Sequence, residues 1–90
     1  MTRASGLFII RNELGLHARA AARMVQVARG YACEVRLVKD GTQVDAKSIL
    51  DVLSLSCPKG SAVTLEVAGP DAEEALRALG EVIEQGFGEK

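Results

Sequence analysis

A tight turn between two alternating segments constrains the fold of this chain most strongly. Apolar and polar residues alternate from Tyr31 to Val38, Asp40-Gly41 follows as a turn signal, and Thr42 to Val44 leads back. Two strands joined by so short a turn must pair antiparallel, because a parallel pair needs a crossover of about a dozen residues or more. The segment therefore predicts a β-hairpin within an antiparallel sheet.

Two further strands and two long helices are predicted around this hairpin. Apolar, β-forming residues predict a first strand from Leu7 to Asn12 and a fourth strand from Val63 to Val67. Apolar residues spaced three and four apart predict amphipathic helices over Ala18–Arg29 and Ala72–Gln85. Gly30 follows the first of these helices, where a C-cap belongs.

Ser48 is typical of the N-cap of a short second helix. Asp51 follows three residues later and can reach back to the Ser48 N–H, as in a capping box, before Pro58 and Gly60 end the helix. The predicted element order is β-α-β-β-α-β-α. It predicts an α+β fold in two layers, an open-faced sandwich in which a four-stranded antiparallel sheet carries all three helices on one face.

The length and composition limit the kind of chemistry to expect. A chain of 90 residues, 48% of them hydrophobic, suits a single domain over residues 1–90 with one core and little room for an enclosed cleft. No apolar stretch approaches the roughly 18 residues of a membrane span, and the N-terminus lacks the apolar run of a signal peptide. We therefore expect a cytoplasmic protein that does not insert into membranes.

The cysteines predict neither a metal site nor a redox motif. Cys33 and Cys57 have no CxxC spacing, and the only histidine is near neither of them in sequence. We expect both to be reduced thiols, with Cys33 in the core, and we expect no metal and no cofactor.

Charge is unevenly distributed along the chain. A formal net charge of −1 argues against bulk binding to nucleic acid or membrane. Residues 14–33 contain three arginines and no acid, whereas residues 66–90 contain seven acids and two bases. The region around residues 14–33 is therefore suited to an anion.

His17, the only histidine, lies at or one residue before the start of the first predicted helix. The first N–H groups of a helix have no intrahelical partner and form an anion site, here at Ala18 and Arg19. The same dipole disfavours a protonated imidazole and keeps a ring lone pair free for attack at neutral pH. Gly15 leaves the approach open, and the Arg19 guanidinium can reach a phosphoryl oxygen.

Two arginines oppose the dipole of this helix. Arg19 and Arg23 lie on one face at the positive end, where an ordinary helix favours Asp or Glu. Such a conflict is expected where function overrides stability. The alternative is that His17 is an ordinary capping residue and that the arginines form a solvated face.

The segment Gly15-Leu16-His17-Ala18-Arg19 closely resembles the active-site motif of the HPr family, the histidine-containing phosphocarriers of the bacterial phosphoenolpyruvate-dependent sugar phosphotransferase system. Lys47-Ser48-Ile49 resembles that family's regulatory segment, and the element order from about Leu7 to Phe87 is similar to its fold. The resemblance implies that enzyme I transfers a phosphoryl group from phosphoenolpyruvate to the δ1 nitrogen of His17 and that a sugar-specific IIA domain removes it. It implies that Arg19 stabilises the phosphate and that the chain is a stoichiometric phosphocarrier rather than an enzyme.

The resemblance gives Ser48 a second role besides capping. As a cap alone, Ser48 would contribute about 1 kcal/mol. By resemblance it matches the serine that a dedicated kinase or phosphorylase modifies to regulate carbon metabolism, and both interpretations stay open. A basic and apolar surface beside the histidine would suit brief docking to acidic partners. The candidate docking residues are Gly15, Ala20, Arg23, Ile49, Leu50 and Leu53.

Other functions remain as alternatives. Ala20 stands where many family members carry proline, which leaves open a carrier of the nitrogen-related phosphotransferase relay. A purely regulatory module that binds partners through Ser48, with His17 unused, is a second alternative. A small nucleic-acid-binding α+β domain is disfavoured, because one Tyr, two Phe and an acidic C-terminal third provide no stacking platform on a basic surface. A monomer is the simplest form of a carrier.

Overall fold

The predicted hairpin lies at one edge of a four-stranded antiparallel sheet. In the computed structural model, which describes residues 2–89, Asp40 and Gly41 both adopt left-handed backbone angles, with φ of 51° and 82°. This is the conformation that a two-residue hairpin turn requires. The elements are β1 (Arg3–Ile9), α1 (Ala18–Ala28), β2 (Glu34–Lys39), β3 (Thr42–Asp45), α2 (Ile49–Ser54), β4 (Ala62–Ala68), α3 (Ala72–Glu84) and a short 3-10 turn (Gly86–Gly88).

The sheet order is β1-β4-β2-β3, and every pair is antiparallel. Alternate residues of β2 and β4 are buried on one face, where they meet the helices; they are Val35, Leu37, Val63, Leu65 and Val67. The opposite face is largely exposed and includes Leu7 and Ile9 of β1. The two-layer α+β fold predicted from the sequence is confirmed.

The first strand begins and ends earlier than the sequence predicted. It covers Arg3–Ile9 rather than Leu7–Asn12, because the backbone of β4 pairs with it from Arg3 opposite Ala68 to Ile9 opposite Ala62. Tertiary pairing here overrides the weak strand propensity of the first four residues of β1. The chain turns away after Ile10, whose N–H donates to the Ser61 carbonyl.

The second strand also starts later than predicted, at Glu34 rather than Tyr31. The carboxylate of Asp71 accepts hydrogen bonds from the N–H groups of Ala32 at 2.8 Å and Cys33 at 2.9 Å, which holds this segment as a bend. The Ala32 N–H is the main cause that lowers the pKa of Asp71. Asp71 is also the N-cap residue of α3. Its side chain therefore links the segment that precedes β2 to the start of that helix.

The capping box predicted for α2 is only half formed. The Ser48 hydroxyl accepts a hydrogen bond from the Asp51 N–H at 3.3 Å, as expected for an N-cap. The Asp51 carboxylate does not return to Ser48; it accepts from the N–H of Asp45, and the Ser48 N–H donates to the Asp45 carbonyl. The Asp45 carbonyl therefore replaces the Asp51 carboxylate as the acceptor for the Ser48 N–H.

The helix ends and the cysteines follow the sequence closely. Helices α1 and α3 each end one residue before the predicted limit, with Arg29 and Gln85 as C-cap residues. Cys33 and Cys57 are both buried and free. Within residues 2–89, none of the helices has the length and apolar character needed to cross a bilayer.

We predict that Gly69→Ala destabilises the fold by about 3 kcal/mol, measured by chemical denaturation. Gly69 has a φ of +147°, and an added Cβ would lie 2.7 Å from the Cα of Cys33. Gly41→Ala is the control, because Gly41 also has a positive φ, of 82°, but has open space around it. Its expected cost is about 1 kcal/mol. Equal losses in the two variants would show that the approach to Cys33 is unimportant.

Candidate functional site

A closely packed loop precedes α1 and fixes where the helix begins. The Gly15 N–H donates to the Asn12 carbonyl at 3.0 Å, and the Leu16 N–H donates to the Cys57 carbonyl at 2.8 Å. Gly15 has a φ of +67°, and a Cβ there would lie 2.5 Å from the Cys57 carbonyl oxygen. Gly15 is buried, so the expectation that it lies in a docking surface is wrong. Its glycine identity serves the packing of this loop.

His17 is the N-cap residue of α1. Its backbone is extended, its carbonyl accepts the first helical hydrogen bond from Ala21, and its Nδ1 accepts a hydrogen bond from the Arg19 N–H at 3.3 Å. Nδ1 therefore faces the N-terminus of the helix. The first turn of α1 contains no acid. The imidazole is 27% exposed, so the site remains accessible.

Glu89 holds the other ring nitrogen. Its Oε2 lies 2.5 Å from Nε2 of His17, and its Oε1 accepts a hydrogen bond from Nδ2 of Asn12 at 2.8 Å. Asn12, which is only 6% exposed, also donates from Nδ2 to the Gly15 carbonyl at 2.6 Å. The Asn12 side chain therefore ties the carboxylate of Glu89 to the loop that precedes His17.

This contact determines which ring nitrogen carries a proton. The hydrogen bond from Asn12 is the main cause that lowers the pKa of Glu89, with further lowering by His17 and by the charge of Arg19, so Glu89 is ionised at neutral pH. An ionised carboxylate only accepts hydrogen bonds, so the proton sits on Nε2. Nδ1, which accepts from the Arg19 N–H, then has the lone pair.

The C-terminal segment reaches His17 by a sharp reversal after α3. Residues 86–88 adopt left-handed angles in succession, with φ of 63°, 58° and 78°. The buried ring of Phe87 anchors this turn to the core, and Glu89 follows directly. Sequence reasoning missed both Glu89 and Asn12. The Gly-Phe-Gly segment does signal a turn, but it does not indicate that the turn ends beside a loop more than 70 positions earlier.

The structure brings most of the expected surface residues together. Ala18, Arg19 and Arg23 are exposed near the start of α1, which packs against α2. On α2, Ile49 is 42% exposed and Leu50 is 80% exposed, whereas Leu53 is half-buried.

Two differences from the expected docking residues stand out. Ala20 is buried at 1% exposure, so it faces the core rather than a partner, and the expectation for it is wrong. Leu14 is 72% exposed on the loop before His17 and was missed. Within residues 2–89, no group of three or more His, Cys, Asp or Glu side chains is placed to hold a metal ion.

Fold and site together define a small α+β protein that places Nδ1 of a histidine against the first N–H groups of a helix. A profile described as "PTS HPr component phosphorylation site" matches residues 4–85. The phosphocarrier protein HPr of Cupriavidus necator is 50% identical over 80 residues, covering 89% of this chain and 90% of that protein. The chain belongs to the HPr family of phosphocarrier proteins, as its motif predicted.

Solved structures agree with this assignment. The crystal structure of HPr-C-His from Thermoanaerobacter tengcongensis superposes with a TM-score of 0.90 at 41% identity, covering 100% of this chain and 99% of that one. A phosphocarrier protein HPr from Bacillus anthracis superposes with a TM-score of 0.88 at 37% identity, covering 92% and 99%.

We predict that Glu89→Gln weakens the preference for the Nε2–H tautomer of His17, because an amide can both donate and accept. Ring ¹⁵N chemical shifts of the imidazole measure the two tautomers directly. Glu74→Gln, an exposed change on α3, is the control and should leave the ring shifts unchanged. An unchanged tautomer ratio in Glu89→Gln would contradict the assignment of the proton.

We also predict that the stabilising effect of Glu89 on the folded protein depends on pH. Because folding lowers the pKa of Glu89, its contacts contribute fully above the ordinary pKa of a glutamate. That contribution is lost as the pH falls through the lowered pKa of the folded state. The difference in unfolding free energy between wild type and Glu89→Gln should therefore shrink towards acid pH. A difference that grows towards acid pH would contradict a lowered pKa of Glu89 in the folded protein.

Proposed function

We propose that this chain carries a phosphoryl group on Nδ1 of His17, receives it from phospho-enzyme I and passes it to a IIA domain of the sugar phosphotransferase system in the cytoplasm. The observation that carries this proposal is the pairing of Nε2 with the Glu89 carboxylate. It leaves Nδ1 as the ring nitrogen with a lone pair, directed at the N-terminus of α1.

The transfer needs one nucleophile and local positive charge. The Nδ1 lone pair leaves its hydrogen bond with the Arg19 N–H and forms a bond to phosphorus. The bond from phosphorus to the donor breaks at the same time, and the donor leaves with that electron pair. The N–H groups at the start of α1 and the guanidinium of Arg19 then face the negative phosphoryl oxygens. Positioning and charge neutralisation are the main requirements of such a transition state.

The Glu89 carboxylate serves both directions of transfer. When Nδ1 is phosphorylated while Nε2 keeps its proton, the ring gains positive charge, and the adjacent carboxylate balances it. In the second transfer the acceptor attacks phosphorus, and the P–N bond electrons return to Nδ1. The imidazole then leaves in the neutral form in which it began. The phosphorylated protein is thus the product of the first transfer and the substrate of the second, which makes the chain a stoichiometric carrier rather than an enzyme.

The surface around His17 fits brief encounters with acidic partners. Arg19 and Arg23 supply positive charge, and exposed Leu14, Ile49 and Leu50 supply apolar contacts. Electrostatic attraction raises the encounter rate, whereas a small contact area allows rapid release. Both properties are required of a carrier that serves a donor and an acceptor in turn.

We also propose that Ser48 is a regulatory phosphorylation site for a dedicated kinase or phosphorylase. The Ser48 hydroxyl caps α2 by accepting from the Asp51 N–H. The next two residues in the chain, Ile49 and Leu50, are exposed. A phosphate at this helix start is electrostatically tolerable and adds nearly two negative charges beside the docking residues. Repulsion of an acidic partner would follow with little change in the fold.

The nitrogen-related relay would use the same chemistry with different partners. Ala20 is in the first turn of α1, where a proline would also be accommodated, so this position does not separate the two branches. Neighbouring genes that encode sugar permease components or nitrogen-relay components would discriminate between them. A purely regulatory module would bind its partner equally well with His17 replaced.

We expect the protein to take up acid-labile phosphate when it is incubated with phosphoenolpyruvate and enzyme I. Phosphate on an imidazole nitrogen is lost in acid, whereas phosphate on serine is retained, so acid treatment followed by mass spectrometry separates the two. His17→Ala should take up no acid-labile phosphate. Labelling of that variant to the wild-type level would refute the assignment of His17.

Arg19→Ala is predicted to slow phosphoryl transfer by about tenfold to a hundredfold, because it removes a charge-assisted contact to the phosphoryl group. Rapid-quench kinetics with phospho-enzyme I give the rate. Arg23→Ala, one turn further along α1, is the matched control. It should change the rate by less than about threefold at physiological salt and act mainly on the encounter step. Equal effects would remove the special role of Arg19.

Ser48→Ala is predicted to lower the unfolding free energy by about 1 kcal/mol through loss of the cap, whereas Ser48→Asp should retain most of it. If Ser48 is regulatory, a cognate kinase with ATP forms acid-stable phosphate on wild type and none on Ser48→Ala. Phosphorylated protein should also accept phosphoryl groups from enzyme I more slowly. Unaltered transfer after full modification would leave Ser48 as a cap alone.

A further inference from the structure

A groove of about 470 Å³ runs between the edge strand β1 and helix α3. Its floor is formed by Phe8 of β1 and Leu76 of α3, and its outer rim by exposed residues of α3. The rim residues are Glu73, Arg77, Glu81 and Glu84. The groove includes none of the residues assigned to phosphoryl transfer or to docking around His17.

The β1 side of the groove is an open strand edge. Within residues 2–89, the strand ladder pairs β1 only with β4. Backbone N–H and C=O groups of alternate residues therefore point away from the sheet along this seven-residue strand. Leu7 and Ile9, on the open face of the same strand, are 68% and 44% exposed. A strand edge with these properties is a template for another extended segment.

The floor of the groove presents an aromatic ring. Phe8 is half-buried, and its ring packs so closely on Gly80 that a Cβ at Gly80 would lie 2.6 Å from it. The absence of a side chain at Gly80 thus gives the ring its place in the groove. The floor therefore suits an apolar side chain, which an aromatic ring and Leu76 can cover together, whereas a cation is favoured only at the carboxylates of the rim.

The rim of the groove is negative. Three glutamates and one arginine give it a formal charge of −2, and none of the four takes part in the ion pairs found within residues 2–89. This charge disfavours a second copy of the chain as the occupant. Antiparallel pairing of two β1 edges about a twofold axis would bring two such rims towards each other, with like charges facing.

We propose that this groove binds an extended, basic segment of another protein, which adds as a strand to the edge of β1. Side chains that face the groove alternate along such a strand, so residues i and i+4 lie about 13 Å apart. Glu73 and Glu81 lie eight residues apart on α3, a separation of about 12 Å. The partner segment therefore has basic residues at i and i+4.

The residue between the two basic positions is apolar. Side chain i+2 lies above Phe8 and Leu76, near the positive charge of Arg77 between the two glutamates. A third basic residue there would be repelled, whereas an apolar side chain covers the floor. The segment has the pattern basic-x-apolar-x-basic, with its remaining side chains on the open face beside Leu7 and Ile9.

The proposal is tested with a capped peptide of sequence Thr-Arg-Val-Leu-Thr-Arg-Val and the full chain. Amide NMR shifts should map to β1 and α3, with binding that weakens as salt is added. A peptide with Glu in place of both Arg, and one with N-methyl groups on alternate backbone nitrogens, should each bind at least tenfold more weakly. Equal binding of either peptide, or shifts centred on α1 and α2, would overturn the proposal.

Variants of the protein provide the second arm. Glu73→Gln combined with Glu81→Gln should weaken binding of the peptide by about tenfold, because two carboxylate contacts are lost. Glu74→Gln, an exposed acid on the same helix that does not line the groove, should change binding by less than twofold. Equal effects of the two changes would contradict the groove assignment, as would self-association of the chain that the peptide does not reverse.

This test is independent of the phosphoryl relay. Peptide binding is read from amide shifts without phosphate, enzyme I or a IIA domain, and His17→Ala should bind the peptide as wild type does. Failure of the peptide to bind would leave phosphoryl transfer unaffected. Loss of labelling at His17 would in turn leave the groove unaffected.

Discussion

The antiparallel pairing of β1 with β4 is the constraint from which the rest of the molecule follows. It places the first strand beside a strand that begins more than 50 positions later, in a register that runs from Arg3 opposite Ala68 to Ile9 opposite Ala62. The chain leaves β1 directly beside the segment that precedes β4. There Cys57 can accept the hydrogen bond from Leu16 that fixes the start of α1. Helix α3 then packs across β1 and β4 and directs the C-terminal segment back towards the same loop.

This arrangement brings one acid of the C-terminal region to the acid-free segment around His17 and leaves other acids elsewhere on the surface. The acid-free segment around His17 receives a single carboxylate, that of Glu89, from the strongly acidic C-terminal third. That carboxylate is held away from the helix N-terminus, on the Nε2 side of the ring, while Nδ1 accepts a hydrogen bond from the Arg19 N–H at the start of α1. One negative charge therefore assists the histidine without occupying the anion site. Other acids of the same region line the groove on α3, at the edge of the sheet.

Several features were predictable because local rules and the tertiary structure agree. The Asp40-Gly41 hairpin, the Ser48 cap and the amphipathic stripes of α1 and α3 were each assigned from short sequence patterns, and the structure contains all four. Errors occurred where a group outside the local pattern competes with it. Tyr31–Cys33 has strand-like alternation, but the Asp71 carboxylate accepts from two of its N–H groups. The Asp51 carboxylate accepts from the Asp45 N–H rather than from the Ser48 N–H.

The sequence by itself determined the fold class, the helix start at His17 and the position of Arg19, because hydrophobic period, turn chemistry and capping act over a few residues. Only the tertiary structure decided which ring nitrogen is free, since that depends on Asn12 and Glu89, which lie 77 positions apart. It also decided that Gly15 and Ala20 are buried, because the loop at Cys57 and the core press against them from distant parts of the chain. His17 was identifiable from its neighbours in sequence, whereas the reactive state of its ring depends on its neighbours in space.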